Sequence, residues 1–495
     1  MKRPLLFTHL WSKGIQGKIW KVIRALYARV DNKVIFGSFE SDPFQVANGV
    51  KQGCVLSPCL FNIVIADLDS MLGTQNGIHI SDRKIHGLYY ADDIILISNN
   101  EDSLQNMLDV AANFAEKWGL SYNDTKSKVM VIGKRINDRG WALGNKWIYE
   151  TNSYCYLGVL VNRSLKDSHH VNNHITKKAN KMDPYMRYTL AKHHDIKRIE
   201  LADTIWQKIV LSSISHGAGV WFTDSKSSND KLCSIQYRFA KAALRIRSMP
   251  SASATISELG WLPIQDLLNI KRINYYKYLV SLSDNRLPKF ILNELNNMYI
   301  KSASCDFNYV KHIRDIFIEY GADHMYYDHD KICLSTFKKL VSNHYINTFR
   351  DNVNKCKSLL HFNKCKESTS MSEYLKSTCG FRAIQLKFKI RTGTSGIDED
   401  LMRQKRGTGT CHCGDYECLK HLVFYCNTYN IPRNKLYTNI QSSYGNDVFN
   451  DFINNPSHYL YDLLGSHNND FNVHFLNFIT EVWTLRSNVA PSVPP

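Results

Sequence analysis

The sequence has no hydrophobic run long enough to cross a bilayer, a shortage of acids relative to bases, and no cysteine arrangement that reads as a disulfide framework. The longest uncharged stretches, Gln52 to Ala66 and Ile209 to Thr223, are too short and too rich in proline, serine and glycine for a hydrocarbon layer about 30 Å thick. No membrane-spanning helix and no membrane partner are expected. Met1, Lys2 and Arg3 open like an exported chain, but Thr8 and His9 interrupt Pro4 to Trp11 and no small-residue cleavage site follows. The thirteen cysteines are odd in number and scattered outside one C-terminal cluster, which favours a reducing, intracellular location, nuclear or cytoplasmic, over secretion. Acids number 45 against 62 lysines and arginines, a net charge of +17 that points to a polyanionic partner, with nucleic acid the expected one.

What is present is a folding composition. Of 495 residues 44% are hydrophobic and 12% aromatic, so several cores can form and any disorder is local. Apolar residues from Ile19 to Tyr27 recur at helical spacing with Lys18, Lys21 and Arg24 between them, predicting an amphipathic helix over Gln16 to Tyr27. Lys33 to Phe36 and Phe44 to Val46 read as short strands before an Asn48-Gly49 turn. Ser57-Pro58 supplies an N-cap and a first-turn proline for a buried helix over Leu60 to Ala66. Leu88 to Ser98 is apolar except for Asp92 and Asp93, predicting two strand arms joined by an acidic turn. Leu104 to Trp118 reads as a helix ended by Gly119, and Lys128 to Ile132 as the next strand. This alternation predicts an α/β layer to about residue 162, followed by a mainly helical, strongly basic region. Phe239 to Ile246 and Leu267 to Leu279 read as helices, no repeat of 20 to 50 residues is found, and the proline-containing tail from Asn488 is expected to fray.

Two clusters carry chemistry. Adjacent carboxylates between apolar strand arms would be costly to desolvate, and a divalent cation such as Mg²⁺ is the simplest remedy; a solvated hairpin turn is the alternative. Within Cys411 to Cys426, residues Cys411, Cys413, His421 and Cys426 can form a tetrahedral Zn²⁺ set, although the tight Cys-x-Cys step leaves His412 or Cys418 as possible substitutes. Reduced, buried thiols are the alternative there.

Gly49-Val50-Lys51-Gln52-Gly53, then Ser57-Pro58, then Tyr90-Ala91-Asp92-Asp93 occur in an order that resembles the palm of non-LTR (LINE-type) retrotransposon reverse transcriptases. Gly119-Leu120 with Asn123, Lys126 and Ser127, and Tyr156-Leu157-Gly158, are similar to that family's next two motifs. The resemblance implies that Asp92 is the principal Mg²⁺ ligand, with Asp93 beside it. It places Gly49, Gln52 and Gly53 by the incoming nucleotide and template, and implies that Lys126 assists departing pyrophosphate, with Lys128 as a rival. Glu258-Leu259-Gly260-Trp261-Leu262-Pro263 is similar to a segment beyond the family's thumb. Ile390-Arg391-Thr392-Gly393 through Cys426 is similar to its C-terminal cysteine-histidine region, which strengthens the zinc reading. In position, the basic helical region corresponds to the thumb, so Lys177, Lys178, Lys181 and Arg187 are expected to contact RNA and DNA.

In the family an earlier strand carries a further metal-binding aspartate shortly before a segment similar to Arg3 to Trp11. This chain begins just past that strand, and neither Asp31 nor Asp42 replaces the acid. The sequence therefore reads as a reverse-transcriptase-like chain truncated within the palm and impaired in polymerisation. The competing reading is a non-catalytic nucleic-acid-binding remnant. The expected fold is α+β: a partial polymerase palm over 1–162, a helical thumb-like region over 163–250 and a mainly helical region over 251–400. A zinc knuckle over 401–435 and a helical segment with frayed tail over 436–495 complete it. The sequence sets no oligomeric state.

Overall fold

The computed structural model describes residues 1–73, 77–133, 140–193, 197–223, 225–301, 309–356, 359–366, 368–465 and 469–489. The chain forms two compact units, residues 1–155 with 161–165, and residues 156–160 with 166–495. Among the described residues no helix is long and apolar enough to cross a membrane.

In the first unit, the core is made where helices Arg3–Ser12, Gly17–Ala28, Ser57–Leu72 and Glu101–Trp118 bring apolar stripes together. Leu6, Leu10, Tyr27, Val64, Leu68, Met107, Phe114 and Trp118 are buried in it. Asn100 caps the last of these helices by accepting from Ser103 N at 2.7 Å, and Gly119, at φ +62, supplies the left-handed residue that ends it. The predicted helix over Gln16 to Tyr27 is present, but Ile19, Val22 and Leu26 on it are exposed; only Ile23 and Tyr27 are buried.

Several local expectations are corrected. Ser57 is not an N-cap: Leu56 holds that place without a side-chain cap, and the Ser57 hydroxyl donates to Lys51 O at 2.5 Å. Asp31–Asn32 pairs with Phe44–Gln45, and Ile35–Phe36 folds back on Phe39–Glu40. The strand expected over Lys128 to Ile132 shortens to Lys128–Val129, parallel to Lys146–Glu150, over a small core of Leu108, Val129, Trp141 and Ile148. Among the described residues the ladders contain two or three strands, so no continuous α/β sheet layer forms. Helix packing, not a broad sheet, buries most of this unit's apolar surface.

The second unit is helical, so the molecule mixes helix and sheet as expected. Helices Thr176–Ala191, Lys197–Thr204, Lys226–Leu244 and Ile264–Ser281 surround a core in which Trp206 stacks on Trp261 at 4.7 Å. The expected helix over Phe239 to Ile246 is the end of Lys226–Leu244, stopped by Arg245 at φ +51. A separate core within this unit unites Phe381–Arg391, the cysteine-rich segment, Asn430–Asn454 and Asn469–Val489. That last helix runs through Asn488, where fraying was expected to begin; the terminal prolines lie outside the described residues.

Candidate functional site

Strands Gly87–Tyr90 and Asp93–Leu96 form the expected antiparallel hairpin, with Tyr90 opposite Asp93. Ala91 and Asp92 are therefore the turn residues. Ala91 takes φ +52, a left-handed conformation that costs an alanine about 1–2 kcal/mol. Such strain is tolerated where the surrounding ladder over-determines the geometry, and here it holds Asp92 at the tip. Asp92 and Asp93 are both exposed, which corrects the argument from desolvation: solvent reaches the turn, so burial does not compel a cation. Among the described residues neither carboxylate has a hydrogen-bond or ion-pair partner, leaving oxygens suited to a hard cation.

The Asn48 to Ser57 segment is tied down from behind. Buried Arg3 donates from Nε to Gly49 O at 3.0 Å and from Nη1 to Tyr27 O at 3.3 Å. Tyr27 in turn meets Ser57 Oγ at 3.1 Å, completing a link to the Lys51 carbonyl. Gly49 at φ +80 and Gly53 at φ +78 use backbone conformations that favour glycine, and no atom lies within 4 Å of where a Cβ would stand at either. Gln52 and Gly53 are exposed. Arg3 escaped the sequence reading as a positioning residue, because its role depends on partners distant in sequence.

Lys126 is exposed on a tight turn in which Asn123 Oδ1 accepts from Lys126 N at 3.1 Å and from Thr125 Oγ1 at 2.7 Å. Its rival Lys128 places Nζ 5.3 Å from the Tyr149 ring. On the helix Thr176–Ala191, Lys177, Lys181 and Arg187 are exposed and Lys178 is half-buried. Arg187 is bound to Asp183 at 2.9 Å. Tyr185 and Tyr188 are exposed on the same helix.

The cysteine-rich segment closes on itself. The ligand atoms of Cys411, Cys413, His421 and Cys426 all lie within 4.8 Å of one another. Cys411 Sγ is 3.5 Å from Cys426 Sγ, Cys413 Sγ is 3.8 Å from Cys426 Sγ, and His421 Nε2 is 3.1 Å from Cys413 Sγ. Tetrahedral Zn–S bonds of about 2.3 Å require sulfur separations near 3.7 Å, so the set fits zinc. Gly414, at φ +94, reverses the chain after Cys413, and its N–H donates to Cys411 O at 2.9 Å. A π-helical turn over His421–Tyr425 then carries the chain to Cys426, whose N–H donates to His421 O at 2.8 Å. Cys418 Sγ instead accepts from His421 N at 3.4 Å, while His412 is exposed; neither joins the cluster.

Outer contacts hold these ligands in place. Asp415 Oδ2 lies 3.9 Å from His421 Nδ1 and 3.7 Å from Cys413 Sγ, bordering both ligands. Arg433 donates from Nε to Val423 O at 3.0 Å and from Nη2 to Cys426 O. Glu417, itself buried, pairs with Arg486 and accepts from Asp398 N at 2.7 Å. Burial raises the Cys411 thiol pKa, and a bound cation would reverse that shift by favouring thiolate.

Residues 4–161 match the reverse transcriptase (RNA-dependent DNA polymerase) family. The chain is 27% identical over 181 residues to the RNA-directed DNA polymerase from mobile element jockey of Drosophila funebris, covering 33% of this chain and 19% of that protein. It is 23% identical over 259 residues to its Drosophila melanogaster counterpart, covering 49% and 27% respectively. Over 84 residues it is 42% identical to a retrovirus-related Pol polyprotein from the type-1 retrotransposable element R2 of Popillia japonica, covering 17% and 12%. The chain thus spans 19% to 27% of the jockey proteins' own length. Residues 4–161 are thus similar to reverse transcriptases, and the relatives that the chain resembles are RNA-directed DNA polymerases of retrotransposons.

Proposed function

We propose that the chain is a nucleic-acid-binding protein of reverse-transcriptase type, with residues of the family's palm in its first unit. The carrying observation is the hairpin that presents Asp92 at a strained turn beside Asp93. In this reading Asp92 and Asp93 hold Mg²⁺, which when bound supplies charge stabilisation for phosphoryl transfer. Gly49, Gln52 and Gly53 border nucleotide and template, with Arg3 and Ser57 supporting that segment from behind. Lys126 offers a cation to the departing pyrophosphate.

The same reading makes this chain deficient in polymerisation. Among the described residues no group of three or more metal-capable side chains includes Asp92 or Asp93, whereas two-ion phosphoryl transfer needs carboxylates that hold both ions about 3.5–4 Å apart. A metal position without its carboxylate would cost several kcal/mol of transition-state stabilisation, and each 1.36 kcal/mol is tenfold in rate. The test is primer extension on an RNA template by the full chain with Mg²⁺ or Mn²⁺. Negligible synthesis is expected; robust synthesis abolished by Asp92→Ala would show an active polymerase.

A non-catalytic role is favoured by two observations in the second unit. The helix Thr176–Ala191 exposes Lys177, Lys181 and Arg187, and the Cys411, Cys413, His421 and Cys426 set has dimensions suited to Zn²⁺. We assign the helix face to RNA and DNA backbones, and assign a structural zinc ion to the cluster. Salt-sensitive binding, largely independent of sequence, is the expected behaviour.

A further inference from the structure

The helix Thr176–Ala191 ends beside a concavity of about 250 Å³ lined by Arg187, Arg198, Lys241, Arg245 and Arg247 over small and apolar residues. Among the described residues no carboxylate lines it. Cations commonly gather at helix C-termini, where the unsatisfied carbonyls carry roughly half a negative charge. Here Thr176–Ala191 and Lys226–Leu244 both end, a local demand of about one positive charge.

Arg198 meets that demand. Its buried guanidinium donates from Nε to Ala243 O at 3.0 Å, from Nη2 to Ala242 O at 2.7 Å, and from Nη1 to Leu190 O. Burial, and then the like charge of Arg245, push the Arg198 guanidinium down to about 10, so positive groups are crowded here. Arg187 is engaged by Asp183 at the near edge. Lys241 Nζ touches the Met249 sulfur at 3.2 Å and lies 5.5 Å from the Tyr237 ring, neither of which neutralises it with a formal charge. Gln385 Nε2 donates to both Leu244 O and Arg245 O at 2.9 Å, fixing the turn that carries Arg245 to Arg247.

We propose that this concavity binds one backbone phosphate of a nucleic acid, with Lys241 and Arg247 supplying its principal charges and Arg198 fixing the two helix ends behind them. The assignment rests on the reading of the neighbouring helix as a nucleic-acid-binding face. Guanidinium forks match phosphate oxygens in pairs, and cations converging on one concavity fix one phosphate where a lysine row along a helix attracts many. The concavity thereby adds register to an otherwise diffuse contact.

The test uses the full chain, single-stranded RNA of mixed sequence and a salt series. Lys241→Gln with Arg247→Gln should weaken binding roughly tenfold at low salt and flatten the slope of log K against log salt by about 0.7, one single-strand phosphate. Lys177→Gln, Lys178→Gln and Lys181→Gln together form the comparison variant. If that variant loses affinity while the concavity variant binds like the parent, this inference fails and the helix-face reading survives. If the parent shows no salt-dependent RNA binding, both fail. Lys241 acetylation in the unaltered chain gives a second readout that does not depend on a variant folding: RNA should protect it. Lack of protection overturns the inference. Equal protection by inorganic phosphate at matched phosphate concentration would reassign the site to a free phosphate ligand.

Discussion

Arg391 Nε lies 2.6 Å from Glu258 Oε1, with both side chains wholly buried. The pair joins two segments that the sequence singles out separately, Glu258 to Pro263 and Ile390 to Gly393. Arg391 also donates to Leu464 O, and its guanidinium lies 5.3 Å from the Tyr374 ring. Glu258→Ala would leave the guanidinium buried without its anion, and a loss of about 3–5 kcal/mol is expected in urea unfolding. A loss below about 1 kcal/mol, the range of a solvent-exposed pair, would mean that the contact is not buried in solution.

Asp266 gives the second unit a pH signature. Burial raises its carboxyl to about 6, against the opposing effect of Tyr320, whose hydroxyl donates to Oδ1 at 2.7 Å. Glu319 adds to the rise and His344 opposes it. Between pH 4 and pH 6 the folded chain thus holds a proton that the unfolded chain has released, so this group's contribution to stability falls as pH rises through that window. The expected change is roughly 2–4 kcal/mol, read from urea midpoints across that window. Asp266→Asn should flatten this part of the profile; an unchanged slope would assign it to other groups.

The full chain should bind about one zinc ion under reducing conditions. Cys413→Ser with His421→Ala should abolish stoichiometric binding, measured by metal analysis. Arg433→Met keeps all four ligands but removes the donors to Val423 O and Cys426 O, so zinc affinity should fall about 10–100-fold in chelator competition. Unchanged affinity would show that Arg433 does not position Cys426.

Ala91→Gly should stabilise the first unit by about 0.5–1 kcal/mol, because glycine relieves the left-handed strain at φ +52 but loses more chain entropy on folding. Urea unfolding of the full chain, followed by a probe in the first unit, measures this. Destabilisation by the glycine would show that Ala91 is not strained in that turn.

The hairpin was legible because apolar residues on both sides of Ala91 and Asp92 leave little choice of where the strands reverse. The helix Glu101–Trp118 was legible from its spacing and from Gly119 as its stop. The capping signal at Ser57 misled, since a serine hydroxyl can satisfy a nearby carbonyl as readily as a helix N–H, and Lys51 O was there to take it. The strands after Lys33 and Lys128 were overextended because local β propensity does not reveal whether a partner strand is present.

By itself, the sequence determined the order of motifs, the acidic turn and the pool of zinc ligands, all of which depend on residues close together in the chain. Only the tertiary structure decided that Asp92 and Asp93 are exposed, since exposure depends on what packs around a turn. It also selected Cys411, Cys413, His421 and Cys426 over His412 and Cys418, because ligation requires atoms to converge and spacing alone does not orient them. Arg198 reaches Ala243 across 45 positions, and Arg391 reaches Glu258 across 133. Those charge relationships arise from helix packing, which brings distant residues into a shared environment where burial and electrostatics set their roles.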